Sequence, residues 1–174
     1  MAKKRISKAF WIWCQFSKID SYKILKLKKI INNKFHGPRF EIHLTLKGPY
    51  EKLDQIDYDS IVKTAQKIKE FNLYLDKLKT SNQKYQSIFF SIKKSYNLIK
   101  IRKMFSNKKI IGNLKSYKPH ISLHYGVEMK KEKEKLISML PKITKKVKIN
   151  IISIVDVNEE RDKWKIIKKI RLKN

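Results

Sequence analysis

Two short phrases hold the residue types that could do chemistry: His43-Leu44-Thr45-Leu46 and His120-Ile121-Ser122-Leu123. Each reads His, apolar, hydroxyl, apolar. That alternation is the period of a half-buried strand, so imidazole and hydroxyl share one face and the aliphatic pair shares the other. Two such strands facing each other bring two imidazoles and two hydroxyls to one point. Imidazoles with near-neutral pKa can act as general base and general acid on a phosphodiester. Thr45 and Ser122, two residues further along the same face, can donate to non-bridging oxygens as charge builds there. No carboxylate cluster accompanies them, and His124, four residues after His120, stands on a strand rather than a helix, so neither metal nor cofactor is expected.

The surrounding pattern predicts how these phrases are held. Residues 10–16 read as a strand rich in aromatic and branched side chains. Asp20-Ser21 offers an N-cap to a helix carrying Ile24, Leu27, Ile30 and Ile31, and Gly37-Pro38 stops it. The first His strand is expected over 39–46, ended by Gly48-Pro49. A helix capped within Asp57 to Ser60 and a strand through Leu73, Leu75 and Leu78 follow. The second half repeats this plan: a strand over 85–93, a helix over 95–106, a break at Gly112-Asn113 and the second His strand over 119–125. A helix over 129–140 and late strands at 146–157 and 163–172 complete the chain.

The halves can be superposed. Trp13 precedes His43 by 30 residues, and Phe90 precedes His120 by 30. A shift of 77 residues lays His43 on His120, Thr45 on Ser122, Ile24 on Ile101 and Leu27 on Met104. Such a repeat implies an α+β, bilobal architecture: two pseudo-symmetric αβ lobes with mostly antiparallel sheets lining a central cleft. One unit spanning 1–174 is expected, with a first lobe over about 37–80, a second over about 85–145 and closing strands over 146–172.

Composition sets the remaining bounds. With 41% hydrophobic residues a packed core is within reach. The lone Cys14 permits no internal disulfide and reads as a packed thiol. Met1-Ala2-Lys3-Lys4-Arg5 looks faintly like a leader, but the apolar run after it is short and lacks a cleavage site. A cytoplasmic monomer with no membrane partner is expected. The net charge of +28 comes mostly from lysine, 38 of 43 basic residues, and attracts polyanions whatever its origin. Non-specific RNA binding through the lysine-rich surface is one consequence. Of the other candidates, Trp13 could stack a base and Tyr125 could reach a phosphate oxygen. His36 reads as a loop residue, His124 as a solvated rim residue, and Lys47 and Lys118 as surface charges.

At these residues the chain resembles the two-histidine (2H) phosphoesterase superfamily, whose members carry paired His-x-Thr/Ser motifs. The neighbourhoods Gly37-Pro38-Arg39-Phe40 and Tyr117-Lys118-Pro119-His120, with Trp13 and Tyr125, look closest to its plant and yeast cyclic phosphodiesterase branch. The resemblance implies a nucleotide or RNA-end substrate bearing a 2′,3′-cyclic phosphate, or ADP-ribose 1″,2″-cyclic phosphate, opened to a monoester. His43 and His120 would be the acid–base pair, Thr45 and Ser122 the phosphate holders, and Trp13 and Tyr125 substrate contacts. Ile42 departs from the proline that relatives often carry before the first His. Action on 2′-5′ linked oligonucleotides, as in the RNA ligase-like relatives, and non-catalytic RNA binding are the alternatives.

Overall fold

A computed structural model describes residues 9–105, 116–157 and 163–174. The leader-like start and the break expected at Gly112-Asn113 lie outside them. Among the described residues, seven strands and four α-helices occur in the order β1 (Phe10–Phe16), α1 (Lys18–Phe35), β2 (Leu44–Tyr50), α2 (Gln55–Gln66), β3 (Phe71–Thr80), β4 (Ile88–Ile92), α3 (Tyr96–Met104), β5 (His120–His124), α4 (Lys130–Met139), β6 (Lys146–Asp156) and β7 (Lys165–Arg171).

The strand pairings among these elements are all antiparallel. They run β1–β2, β2–β5, β5–β4, β4–β3, β3–β6 and β6–β1, closing a ring of six, with β7 added to β6. The long β6 serves both lobes. Its first residues pair with β3 through Val147 and Ile149, and its later ones pair with β1 from Ile149 to Asp156. Opposite β6 the ring closes at a seam of one ladder pair, Leu44 with Ile121. The two αβ lobes therefore meet at a shared strand on one side and at the two His strands on the other. The expected α+β bilobal class holds.

Alternation sends Leu44, Leu46, Ile121 and Leu123 into one aliphatic core with Ile24, Leu27 and Ile31 of α1. The opposite face of the same strands is left for the polar residues.

Several boundaries differ from expectation. Helix α1 begins three residues early because Ser17, not Asp20 or Ser21, is its N-cap: Asp20 N–H donates to Ser17 Oγ. Asp20 instead occupies the first turn, where its carboxylate accepts from Ser17 Oγ and from Lys148 N–H, joining helix to β6. Helix α2 is capped by Asp54 rather than within 57–60. Strand β2 starts at Leu44 and runs through Gly48-Pro49 instead of ending there. The reason is a bulge: Phe10 pairs with Tyr50 and Ile12 with Lys47, so Gly48 and Pro49 together face the single residue Trp11. Gly48 has φ +134°, and a Cβ there would sit 2.6 Å from the Trp11 ring. A side chain is thus excluded both by backbone and by space.

The internal repeat is real but not uniform in offset. Trp13 pairs with Thr45, and the residue paired with Ser122 is Phe89, not Phe90. The shift of 77 that fits the His strands becomes 76 at β1 and β4. On the helices it becomes 74: Ile24, Leu27 and Ile31 correspond to Leu98, Ile101 and Phe105, all buried. Met104 and Ile30, both expected on the core side, are exposed. A slip close to one helical turn leaves apolar residues on apolar residues, which is how a single offset can look right in sequence.

Leu44 is fully buried on the inner side of the seam. Leu44→Ala should lower unfolding free energy by about 2–5 kcal/mol in urea titration. Ile56→Ala, at a largely exposed position of α2, should change it by no more than about 0.5 kcal/mol.

Candidate active site

The seam register fixes where the four motif residues lie. With Leu44 opposite Ile121, continuing the antiparallel register by one residue each way sets His43 across from Ser122 and Thr45 across from His120. Residues directly opposite share a face, so two imidazoles and two hydroxyls alternate around one point on the side away from the core. A charge on His120 disfavours a charge on His43, as their proximity requires.

Both rings are oriented the same way by backbone. His43 Nδ1 lies 2.7 Å from the carbonyl oxygen of Glu41, and His120 Nδ1 lies 2.9 Å from that of Lys118. A carbonyl only accepts, so Nδ1 is the protonated nitrogen in each neutral ring and Nε2 carries the lone pair. The carbonyl in each case belongs to the residue two before the histidine. The result is a pair of Nε2 atoms free for proton transfer, each on a ring that cannot turn over without breaking a hydrogen bond.

The backing of the two rings is asymmetric. Trp13 stacks on His43 with centroids 3.5 Å apart and planes within 5°. Phe89 meets His120 edge-on at 5.7 Å. His43 is only 6% exposed, whereas His120 is half-buried. Burial pushes the His43 pKa down to about 4, assisted by the nearby charges of His120 and Lys28 and opposed by the Glu41 carbonyl. Burial also lowers the His120 pKa, against the Lys118 carbonyl. Ser122 is buried and its hydroxyl donates to the Tyr85 carbonyl at 3.3 Å, a long bond that a better acceptor could displace. Thr45 is half-buried, and its carbonyl accepts from Tyr117 Oη at 2.9 Å.

Other singled-out residues fall into two groups. Tyr125 belongs to an aromatic cluster beside the site: it stacks on Phe40 at 4.1 Å and meets Tyr85 and Trp164 edge-on. Phe40 in turn presents an edge to His43. Trp164 also packs edge-on against Trp13; its place late in the chain, past β6, gave no motif signal that would have linked it to this cluster. Lys118 is exposed, His36 is the left-handed C-cap residue of α1, and Cys14 is fully buried, with its thiol pKa raised by desolvation.

Two expectations are overturned. His124 is not a solvated rim residue: it has 0% exposure, and its Nε2 lies 2.9 Å from a Glu128 carboxylate oxygen. Strand alternation puts it past the end of the cleft, where Gly37 and Gly126 press against the ring; a side chain at either glycine would collide with it. Lys47 is not a surface charge either, since the β1–β2 ladder and the nearby Arg102 enclose it.

Trp13 and Phe40, which touch His43, also line a groove of about 1010 Å³. Tyr22 and Leu25 of α1 and Ile166 of β7 line it, with Trp164 at the site end and Arg39 and Lys169 among its charged residues. Among the described residues, no group of three or more His, Cys, Asp or Glu is placed to hold a metal ion. None of the described helices is long and apolar enough to cross a membrane.

No protein-family model matches this chain, and no curated protein matches it. Solved structures do match over nearly the full length. E. coli LigT complexed with 3′-AMP superposes with a TM-score of 0.64 at 13% identity, covering 96% of this chain and 99% of that one. The protein TT0787 of Thermus thermophilus gives 0.62 at 14% identity, covering 95% and 98%. A protein described as a phosphoesterase gives 0.62 at 12%, covering 96% and 99%. The chain thus shares the fold of these solved structures over nearly its full length.

Histidine ring-proton NMR checks the electrostatics. His43 should titrate with a midpoint of about 4, and His120 below the ordinary 6.5. Replacing the stacked indole by Trp13→Ala should move the His43 midpoint upward, because water then solvates the charged ring.

Proposed function

We propose that this chain is a metal-independent two-histidine phosphoesterase that hydrolyses a cyclic phosphodiester to a phosphomonoester. The substrate class is a 2′,3′-cyclic nucleotide, an RNA end with the same cyclic phosphate, or ADP-ribose 1″,2″-cyclic phosphate. The observation that carries this reading is the pair of imidazoles on one face of the seam, each with Nδ1 held by a carbonyl and Nε2 free. Full-length likeness in fold to a phosphoesterase and to LigT, a protein solved with phosphate and with 3′-AMP, supports it.

In-line attack on phosphorus needs a base on the water side and an acid on the opposite, leaving-oxygen side. The asymmetry of the rings favours one assignment. His43, sealed against Trp13 with its pKa near 4, is neutral across the physiological range and suits the base. His120, half-exposed and less sealed, more readily holds a proton and suits the acid. The reverse assignment would require His43 to stay protonated where it is almost wholly neutral. A bound phosphate anion raises the pKa of both rings. Thr45 and Ser122 donate to the non-bridging oxygens, where charge grows in the transition state. Two imidazoles and two hydroxyls complete the proton and charge balance with no Lewis acid.

A second reading is hydrolysis of 2′-5′ linked oligonucleotides. The groove beside Trp13 favours it, because a volume of about 1010 Å³ lies at the top of the range for small-molecule pockets. Turnover of a 2′-5′ dinucleotide against a cyclic mononucleotide separates the two.

The test is steady-state kinetics on a panel of cyclic phosphates, with products read by phosphorus NMR. His43→Ala and His120→Ala should each lower turnover by about 10²-fold or more. The profile of kcat/KM should be bell-shaped and lie on the acid side. Its rising limb passes through about 4 as His43 loses its proton, and its falling limb lies below 6.5 as His120 loses its own. Chelator should have no effect. Wild-type turnover in either alanine variant, or loss of activity with chelator, would contradict the scheme; tight RNA binding without any turnover would favour a binding protein.

A further inference from the structure

Besides Lys47 on β2 itself, two cations carried by helices are buried against the seam. Lys28 on α1 is 5% exposed and Arg102 on α3 is 7% exposed. Lys28 Nζ sits 3.4 Å from the centroid of the Phe40 ring and donates to the carbonyls of Leu123 at 3.3 Å and Pro38 at 3.4 Å. The Arg102 guanidinium sits 4.0 Å from the centroid of the Tyr117 ring and donates through Nη1 to the Leu46 carbonyl.

These contacts obey the pseudo-twofold. Phe40 is three residues before His43, and Tyr117 is three before His120. Leu123 is three residues after His120, and Leu46 is three after His43. Each cation therefore touches an aromatic ring leading into one His strand and a carbonyl leading out of the other. Lys28 and Arg102 stand 74 positions apart, the same offset that relates the buried faces of α1 and α3.

The arrangement has a mechanical consequence. Strands β2 and β5 share only the Leu44–Ile121 pair, so the ladder alone does not fix how far they splay. The two cations tie them together on either side of that pair. Packing does not require charge here, since apolar residues of similar volume generally replace buried ions without loss of stability. A cation, however, has several donors and a directional hold on both a carbonyl and a ring face.

We propose that Lys28 and Arg102 are a crossed pair of positioning residues that set the separation of the two histidine Nε2 atoms and thereby the rate of the chemical step. The proposal rests on the phosphoesterase reading above. Each cation also reaches the site through its ring. Phe40 touches His43 and stacks on Tyr125. Tyr117 holds the Thr45 carbonyl. The charged groups acting on His43 are Lys28 from α1 and His120 from β5; β1 presents the uncharged Trp13. Burial brings the Lys28 pKa down to about 8, so it remains mostly charged at neutral pH.

The experiment compares wild type with Lys28→Met, Arg102→Met and the conservative Lys28→Arg in the full chain, using a 2′,3′-cyclic mononucleotide. Both Met variants should lose about 10- to 100-fold in kcat, the cost of a small misplacement of reacting groups, with little change in KM. Lys28→Arg should recover most of the loss. Lys28→Met should raise the midpoint of the His43 ring-proton titration, while Arg102→Met should leave it in place. Should Lys28→Met not fold, Lys28→Gln, which keeps a donor but no charge, takes its place with the same expected signs. Active wild type with Met variants at wild-type kcat, or with effects confined to KM, overturns this inference alone. Wild type inactive on every cyclic phosphate overturns the phosphoesterase reading and this inference with it.

Discussion

One ladder pair, Leu44 opposite Ile121, joins the two strands that carry the histidines. A longer ladder would draw those strands together and fill the face between them; no pairing would leave the imidazoles unrelated. A single pair allows both. It fixes register, which puts His43 beside Ser122 and Thr45 beside His120, and it lets the strands diverge on either side. The rest of the fold serves that compromise. The shared strand β6 anchors both lobes on the far side of the ring. The Leu44 and Ile121 side chains lock the seam from beneath by burial in the common core. The helices α1 and α3 each reach across to the other lobe's His strand through a buried cation.

The two imidazoles are alike in their Nδ1 hydrogen bonds and unlike in their packing. Both Nδ1 atoms are held by the carbonyl two residues earlier, a relation set by local backbone and so repeated with the motif. The backing ring is not repeated: a full indole stack on His43, a phenyl edge at His120. A stack removes water from one face of the imidazole and disfavours its charged form. Two copies of one motif thereby acquire different proton affinities, which is what division into base and acid requires. The chain's net charge of +28 acts at longer range, attracting anions in a salt-dependent way.

Much of this was legible in the sequence because alternation and repetition are both written in residue order. The His-x-Thr and His-x-Ser phrases declared a strand face, and their equivalence in a repeat declared a meeting point. The element order and the α+β class followed from period and turn residues. What stayed hidden depends on three-dimensional offsets. The bulge at Gly48-Pro49 has no signature distinct from a strand end. Phe89 and Phe90 are adjacent and alike, so only the ladder tells which one faces His120. Lys28 looks like any other lysine in a lysine-rich helix, and its burial in place of Ile30 follows from the packing of α1 against β5 rather than from its own pattern. His124 shares a face with His120 by alternation, yet the glycines at 37 and 126 close the cleft over it.

The central claim is that one anion-sized space lies between two twofold-related imidazoles. Titration of the wild-type protein with inorganic phosphate, followed by the ring-proton shifts of His43 and His120 together, tests it most directly. Both resonances should move in parallel and saturate with one dissociation constant and one phosphate per chain. Movement of only one ring, or two rings responding with separate constants, would show that the histidines do not address a common ligand.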